Sequence, residues 1–529
     1  MVKLLRNKLF QILLLGAFLR LFMLGSVPAS LNWDEVSQGY TAYSVARTGM
    51  DEWGAKLPMF FRSYGEWKSA VYIYLLVPLV KFFSLSPFIV RLPSAIFGVI
   101  SIYLIYLICK KLYSENTALW SAFLMAVTPW SFFLSRPAFE ANVALTLLLA
   151  GLYLYLTQKY VFSAIMFGLA PHTYNSAKIV IPILVVYLIW STKLYKNLKT
   201  SFLYLGILAV FALPLLLNLF SGQSQARYTQ VSLTTDGKSL ESFYALRSAI
   251  PTPIDKLAIN KGTYIAFKFV DNALSYLSPG FLVWHGGTHT QQSLPYHGVL
   301  YVSEYILVII GIFALLKNKS KFNLLPFVLI MLGIIPAALT RDPEHALRSL
   351  LVIPGFIILA SIGFDYLYSI NYKYLKIGTW ILIIEIFIYM ASYFTWYGPV
   401  YARDWQYGYP EVSAYLDSNA SKYDHIVVTK WFGEPQLFLA FYGQWDPVWY
   451  QQQNKQNISY ERSGKMWLDQ LESYSLGKYT FKYISWGEES RDKKTLYIGK
   501  FDDFPGSTPL KTIYYPDGTV AFHIVEGDR

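Results

Sequence analysis

Long apolar runs alternate with short polar segments over about the first 400 residues. Most runs approach twenty residues, the length at which an α-helix rising about 1.5 Å per residue crosses the hydrocarbon core of a bilayer. The pattern therefore predicts an α-helical polytopic membrane protein with about eleven transmembrane helices. The predicted spans are 9–27, 88–109, 116–134, 139–157, 160–172, 177–191, 201–220, 298–316, 322–340, 349–369 and 377–397.

The polar segments between these runs predict the topology. If the N-terminus is cytoplasmic, the loops on the same side are basic, as the positive-inside rule requires. The segments that carry carboxylate clusters then all face the opposite compartment. The basic loops are Lys110-Lys111, Lys159, 193–199, 317–321 and 373–376.

The first outer loop, residues 28–87, contains one apolar stretch that does not fit this count. The stretch at 70–83 is too short to cross a bilayer readily. Counting it as a span would also reverse the predicted side of every later loop. Lys68 and Lys81 bracket the stretch, which suits a juxtamembrane helix lying at the interface. Residues 36–50 are predicted to form a second such helix, so the two helices would frame Asp34 and Glu35.

Two further outer segments are long. The loop at 221–297 is rich in Ser, Thr, Gly and Tyr, and its length favours a lid or binding role. After Tyr397 the composition changes, and short β-prone runs occur at 426–429, 479–483 and 519–525. We therefore predict a transmembrane domain at 1–397 and an extracytoplasmic mixed α/β domain at 398–529.

Composition supports the membrane assignment. The 529 residues are 54% hydrophobic and 15% charged, with a mean hydropathy of +0.34. The net charge of +12 resides in the short basic loops, which argues against nucleic-acid binding. A single cysteine, Cys109, excludes an intrachain disulfide. The N-terminal run could also be a cleaved secretory signal, whereas an uncut helix would keep Arg20 inside the span.

Three polar clusters lie just past apolar runs on the predicted outer side. They are Asn32-Trp33-Asp34-Glu35, the segment 135–140 and the segment 341–348. Carboxylates and cations at the bilayer edge suit a reaction between a lipid-borne anionic donor and a polar acceptor. A sugar on a polyprenyl phosphate fits, because a carboxylate can take the proton of the acceptor hydroxyl while Arg or Lys stabilises the released phosphate. The sequence contains neither a Walker A motif nor a Rossmann fingerprint, in keeping with a donor that is not a nucleotide.

Several motifs resemble the GT-C superfamily of glycosyltransferases. Within it, the group containing protein O-mannosyltransferases and the lipid A aminoarabinose transferase is the nearest match, over about residues 1–400. The resemblance implies an inverting hexosyl- or pentosyltransferase that uses a polyprenyl-phosphate sugar. The motifs are Asn32-Trp33-Asp34-Glu35, Glu66-Trp67-Lys68, Arg91-Leu92-Pro93-Ser94-Ala95, the Pro129 to Glu140 turn and His345-Ala346-Leu347-Arg348.

The resemblance also implies roles for individual residues. Asp34 would be the general base, Glu35 its neighbour and Glu140 a second acidic position, and these three residues form the predicted catalytic group. Lys68 has Ser69-Ala70 after it where relatives have two prolines. The predicted donor-phosphate group comprises Lys68, Arg136, His172, Tyr174, Lys178, His345 and Arg348.

Each cluster also has a structural interpretation. Asp34 and Glu35 could cap a helix, Arg136 and Glu140 could form a local ion pair, and Lys68 could extend to the headgroups. Residues 172–178 could be interface anchors, and 341–344 a solvated turn.

The cofactor prediction is metal independence. His285, His289 and His297 lack compact zinc-ligand spacing, and the carboxylate clusters contain no Asp-x-Asp pair. A divalent metal at Asp34 and Glu140, as in oligosaccharyl transferases, is the alternative.

The predicted partners are the lipid-linked sugar, the bilayer and a protein, lipid or glycan acceptor, at the outer face of a cytoplasmic (inner) membrane. A transporter or flippase of polyprenyl-linked sugars and a metal-dependent oligosaccharyl transferase are the rival functions. A transporter should show inverted repeats with polar sites at midplane, whereas here the polar clusters lie at one predicted membrane face.

Overall fold

The computed structural model describes residues 7–63, 67–219, 232–235, 237–252, 256, 259–317, 323–370 and 372–528. Glu66 and part of the predicted loop at 221–297 lie outside these residues. The chain folds into two compact units. We call Met1–Phe22 with Ser94–Ala391 the helical unit, and Met23–Pro93 with Ser392–Arg529 the mixed unit.

Helices α1 to α21 occur in chain order as follows. They are α1 Lys8–Leu21, α2 Trp33–Thr48, α3 Ala70–Phe82, α4 Pro87–Leu112, α5 Glu115–Val127, α6 Pro129–Leu134, α7 Glu140–Leu156, α8 Tyr160–Leu169, α9 Ala177–Thr192, α10 Leu198–Leu219, α11 Gly237–Ala249, α12 Lys261–Ser275, α13 Val302–Lys317, α14 Leu325–Ala338, α15 Ile353–Ile370, α16 Tyr372–Ser392, α17 Gly398–Val400, α18 Tyr409–Asn419, α19 Pro435–Tyr442, α20 Pro447–Asn454 and α21 Ser459–Arg462.

Every predicted span coincides with helix over most of its length. Within the described residues, four helices are long and apolar enough to cross a membrane, namely Pro87–Leu112, Leu198–Asn218, Leu350–Ile370 and Lys376–Val400. The predicted run 116–134 is divided into α5 and α6 at Pro129, which has no N–H to continue the helical ladder. The helical membrane architecture is therefore supported, while the count of eleven spans stays a prediction.

Helices α13 and α15 show how glycine sets the packing of the helical unit. A Cβ on Gly311 would collide with the backbone of Leu359, and a Cβ on Gly363 would collide with the backbone of Leu307. Small residues at facing positions let two helix backbones approach closely, as in membrane helix pairs. Larger residues at either glycine would separate the two helices.

The mixed unit contains a six-stranded sheet and a small hairpin. The hairpin pairs β1 Phe60–Arg62 with β2 Trp67–Ser69. The sheet has the strand order β4-β5-β3-β6-β8-β7, with β5, β3 and β6 parallel and the other neighbours antiparallel. Its strands are β3 His425–Thr429, β4 Ser473–Leu476, β5 Tyr479–Lys482, β6 Thr495–Gly499, β7 Lys511–Tyr514 and β8 Val520–Glu526.

The first outer loop belongs to this mixed unit. Helix α2 packs against α3, α19 and α20, and its residues from Glu35 to Val45 are all buried. The sequence had predicted a helix over 36–50 lying at the membrane interface. The helix exists, but it is enclosed by protein. Small and hydroxyl-bearing side chains occupy the positions where a surface helix would carry long polar side chains.

Candidate functional site

Asp34 lies in the first turn of α2 and pairs with Lys68 at the end of the small hairpin. Lys68 Nζ is 2.7 Å from Asp34 Oδ1 and 3.5 Å from the Asp34 carbonyl oxygen. The lysine side chain is only 4% exposed, whereas the aspartate side chain is 40% exposed. A buried cation thus positions a carboxylate that solvent or a ligand can reach.

Glu35 has a different environment from its neighbour. Its backbone N–H donates to Asn32 Oδ1 at 2.9 Å and its Oε2 accepts from the Asn32 backbone N–H at 3.1 Å, which is a reciprocal capping box. Its two carboxylate oxygens also accept from Arg91 Nε and Nη2 at 2.8 and 3.0 Å. Both side chains of this ion pair are completely buried.

Arg91 connects this pair to the segment that precedes α2. Its Nη1 donates to the carbonyls of Leu24 and Pro28, both at 3.1 Å. Its guanidinium carbon lies 5.6 Å from the Trp405 ring centroid. The sequence-based resemblance included Arg91 in a motif but assigned it no role. The structure places it as the fixed partner of Glu35.

Arg136 is completely buried in the helical unit. It donates to the carbonyls of Leu19, Arg20 and Phe22, at the C-terminal end of α1. Arg20 acts similarly on α5, donating to the carbonyls of Met125 and Ala126 at 3.0 Å. Cations at helix C-termini satisfy carbonyls that lack intrahelical partners. This environment fits a helix-capping role for Arg136 better than the predicted contact with a donor phosphate.

Glu140 is the first residue of α7 and is partly exposed. A carboxylate in the first helical turn is stabilised by the helix dipole. Two residues further on, Asn142 Nδ2 donates to the Ser94 carbonyl at 2.7 Å, which fixes α7 against α4 within the helical unit. Glu140 is therefore placed on a well-anchored helix start.

His345 and Arg348 lie on one turn of the helical unit. Arg348 Nη1 contacts Thr340 Oγ1 at 3.0 Å and Asp342 Oδ2 at 3.1 Å. The His289 ring lies 4.8 Å from that of His345, and burial lowers the pKa of His289. The turn therefore places the Arg348 guanidinium, which is paired with Asp342, near two imidazoles.

The segment 170–178 contacts the same turn, because Ser176 Oγ donates to the Arg348 carbonyl at 2.9 Å. His172 Nε2 lies 2.7 Å from the Phe211 carbonyl oxygen, and Tyr174 is buried. Lys178 Nζ donates to Asn175 Oδ1 at 2.6 Å. Of the predicted phosphate group, the structure thus brings His345, Arg348 and this segment together within the helical unit.

An apolar groove of about 550 Å³ lies beside Lys178. It is bounded by α8, α9 and α10, with Phe167, Val185 and Leu215 among its lining residues. Lys178 and Asn218 supply polar groups to an otherwise hydrocarbon-like wall. Such a groove suits a long apolar chain that carries a charged end.

A buried carboxyl cluster in the mixed unit was missed from the sequence. Glu52 and Glu434 line one small pocket, and Asp469 Oδ1 accepts a hydrogen bond from Tyr474 at 2.6 Å. Burial, with Asp51 nearby, raises the pKa of Glu52 to about 8. Burial and Asp469 raise the pKa of Glu434 well above its usual range. The adjacent acids Asp51-Glu52, a second pair after Asp34-Glu35, were the signal available in the sequence.

Comparisons with known proteins support the fold. Residues 68–218 match the family described as dolichyl-phosphate-mannose-protein mannosyltransferase. ArnT from Cupriavidus metallidurans, solved bound to undecaprenyl phosphate, aligns with a TM-score of 0.57 at 10% identity, over 98% of this chain and 97% of that one. The chain has a GT-C fold. The fold that the resemblance of its sequence motifs implied is confirmed.

The GT-C fold is also seen in the oligosaccharyltransferase of Archaeoglobus fulgidus. Its complex with zinc and sulfate aligns with a TM-score of 0.52 at 13% identity, over 83% of this chain and 61% of that one. Its form tethered to an acceptor peptide containing the NVT sequon has the same TM-score and identity, over 82% and 62%. The chain thus spans about three fifths of the archaeal enzyme's length. A search of curated protein sequences returns no match.

The GT-C fold does not by itself decide the cofactor. Within the described residues, no group of three or more His, Cys, Asp or Glu side chains is arranged to hold a metal ion. The metal independence predicted from the sequence remains a prediction. The zinc in the archaeal structure belongs to that protein and does not test it.

Proposed function

We propose that this chain is a membrane glycosyltransferase. It would transfer a sugar from a polyprenyl-phosphate donor to an acceptor hydroxyl at the outer face of a cytoplasmic membrane, with Asp34 as the general base. The observation that carries the proposal is the pairing of a partly exposed Asp34 with a buried Lys68. The match of residues 68–218 to a mannosyltransferase family supports the reaction class.

Asp34 suits the role of base better than the neighbouring acid does. A general base must reach the proton that it removes and must be held in one orientation. Asp34 satisfies both requirements through its 40% exposure and its contact with Lys68. Glu35 is completely buried against Arg91, so we assign it to positioning the first turn of α2, which carries Asp34.

In the proposed reaction the acceptor O–H gives its proton to the Asp34 carboxylate. The acceptor oxygen forms a bond to the anomeric carbon, and the bond between that carbon and the phosphate oxygen breaks. The polyprenyl phosphate leaves with the electron pair. A single displacement of this kind inverts the anomeric configuration, in agreement with the prediction from the resemblance.

Cations would stabilise the leaving phosphate. Arg348 and Lys178 are the favoured groups, since both lie at the turns joined by the Ser176 contact. His345 is a further hydrogen-bonding group on the Arg348 turn. Arg136 is not included, because its guanidinium is enclosed and bonded to α1.

The groove beside Lys178 supports a lipid-linked donor. Its wall is almost entirely apolar, and a polyprenyl chain could occupy it with the phosphate near the ammonium. ArnT, with the same fold, was solved with undecaprenyl phosphate bound. We therefore assign the groove to the carrier lipid and Lys178 to its phosphate.

The experiment that tests this function uses the purified full chain in nanodiscs. A panel of radiolabelled polyprenyl-phosphate sugars would be incubated with envelope extract as acceptor, and the label followed into non-lipid product. Transfer that requires the protein supports the proposal. The rival transporter would instead move the intact donor across a proteoliposome membrane without forming product, and that outcome would overturn it.

Lipid analysis in cells would identify the donor. Cells lacking the gene should accumulate one polyprenyl-phosphate sugar, because its consumption has stopped. Wild-type levels of every such lipid, together with an unchanged set of glycoconjugates, would contradict the assignment.

A further inference from the structure

A second groove, of about 570 Å³, lies in the mixed unit at the carboxyl ends of parallel strands. Trp431 follows β3, and Lys500 and Phe501 follow β6, the adjacent parallel strand. The turn between β7 and β8 closes the same edge with Tyr515 and Thr519. In α/β sheets with crossover connections, the carboxyl edge of the parallel strands is where ligands usually bind.

Aromatic rings form the walls of this groove and remain open to solvent. Trp431 is 59% exposed and Phe501 is 61% exposed. They rest on a firm base, since Phe432, next to Trp431, packs on Phe522 with ring centroids 5.1 Å apart. Large aromatic side chains exposed together on a supported surface are uncommon without a binding role.

The polar groups of the groove carry both signs of charge. Arg403 Nη2 donates to Thr519 Oγ1 at 2.7 Å, and its guanidinium carbon lies 5.1 Å from the Tyr515 ring centroid. Lys500 Nζ lies 4.5 Å from the Trp431 ring centroid and 3.6 Å from Asp502 Oδ2. The groove therefore offers both hydrogen-bond donors and acceptors beside its aromatic rings.

We propose that this groove binds a glycan chain. Sugar C–H groups carry a weak positive charge and stack on the negative faces of aromatic rings. Sugar hydroxyls both donate and accept hydrogen bonds, so they complement a lining that carries both signs of charge. A uniformly anionic or cationic ligand would fit such a lining less well. The inference concerns binding alone and would hold for any class of transfer reaction.

The alternative occupant, the surface of the bilayer, fits this groove less well. Aromatic and lysine side chains do gather at membrane interfaces. However, the surface here is concave, and Asp502, with its side chain 74% exposed, lies within it. An exposed carboxylate would be repelled by anionic headgroups and is costly to bury among lipid chains.

Saturation-transfer NMR on the full chain in nanodiscs tests the proposal. The probes are maltohexaose, cellohexaose and α-1,6-linked mannohexaose, each titrated to about 5 mM. At least one should receive saturation, and Trp431→Ala should weaken its binding by about tenfold, with a smaller loss for Phe501→Ala. Tyr514→Ala is the matched control, since it removes an exposed ring of the same unit that does not line the groove.

Three NMR results would overturn the proposal. They are no saturation of any of the three probes, saturation that neither groove variant changes, and loss of binding in Tyr514→Ala equal to that in Trp431→Ala.

Quenching by brominated lipids provides the membrane test. If Trp431→Phe lowers the quenched fraction of tryptophan fluorescence, the ring contacts lipid and the groove is a membrane contact instead. All variants alter exposed side chains and are expected to fold normally. An unchanged melting temperature verifies this for each variant.

Discussion

The buried pair between Glu35 and Arg91 should control the stability of the mixed unit. Removing one partner leaves the other charge buried and unpaired, which costs about 3–5 kcal/mol. A unit of about 200 residues loses roughly 2–4 °C of melting temperature per kcal/mol. Glu35→Leu should therefore lower the apparent melting temperature of this unit by about 6–20 °C.

A double-mutant cycle measures the coupling directly. Glu35→Leu, Arg91→Met and the double variant would be compared by thermal unfolding in detergent. The double variant should be destabilised by at least about 3 kcal/mol less than the sum of the single variants, because it leaves no unpaired charge. Lys494→Met, which removes one partner of the exposed ion pair with Asp424 in the same unit, is the control and should leave the melting temperature nearly unchanged.

Glu35→Gln separates structural from catalytic roles, because it keeps the shape of the side chain. We expect it to lower the melting temperature, with activity falling mainly in proportion to the folded fraction. A variant that melts within about 2 °C of wild type but has lost transfer would refute this reasoning. Glu35 would then be a catalytic residue, as the sequence-based resemblance implied.

Three further predictions concern other parts of the chain. Burial raises the pKa of Glu52 to about 8, so the folded state binds its proton more tightly than the unfolded state and stability falls as pH rises from about 4.5 to 8. Glu52→Gln should reduce this slope and raise the melting temperature at pH 9, while an unchanged slope would contradict the assignment. Transfer should stay within about twofold in EDTA; abolition by EDTA with rescue by Mn²⁺ or Mg²⁺ would reassign Asp34 and Glu140 as metal ligands. Cysteine labelling should place Lys196 in the cytoplasm and Asp446 outside, and the reverse at Lys196 would overturn the topology.

Much of the architecture could be predicted because it depends on local patterns. The apolar runs predicted the helices, because the length of an apolar run can be measured in the sequence without knowing which segments pack against it. The β-prone runs at 426–429, 479–483 and 519–525 are confirmed as β3, β5 and β8. Strands β4, β6 and β7 were not among those runs, and their places in the sheet depend on long-range pairing with β5, β3 and β8 that no local pattern provides.

The site could be predicted only in part, because long-range contacts decide what each side chain does. Asp34 and Glu35 are adjacent in sequence, yet Lys68 and Arg91 give them different environments. Likewise, the carbonyls that Arg136 contacts lie more than 110 residues earlier in the chain. No local pattern could distinguish that helix cap from a phosphate ligand.

The central claim is that Asp34 removes the acceptor proton, and the transfer rate of Asp34→Asn tests it most directly. The rate should be measured in a single turnover with saturating donor, alongside binding of the donor lipid to the same variant. We predict a rate about 10²–10⁴-fold below wild type with donor binding nearly unchanged, since the amide keeps the shape but cannot accept the proton. A variant that retains more than about half of the wild-type rate would contradict the claim and leave Asp34 as a structural partner of Lys68.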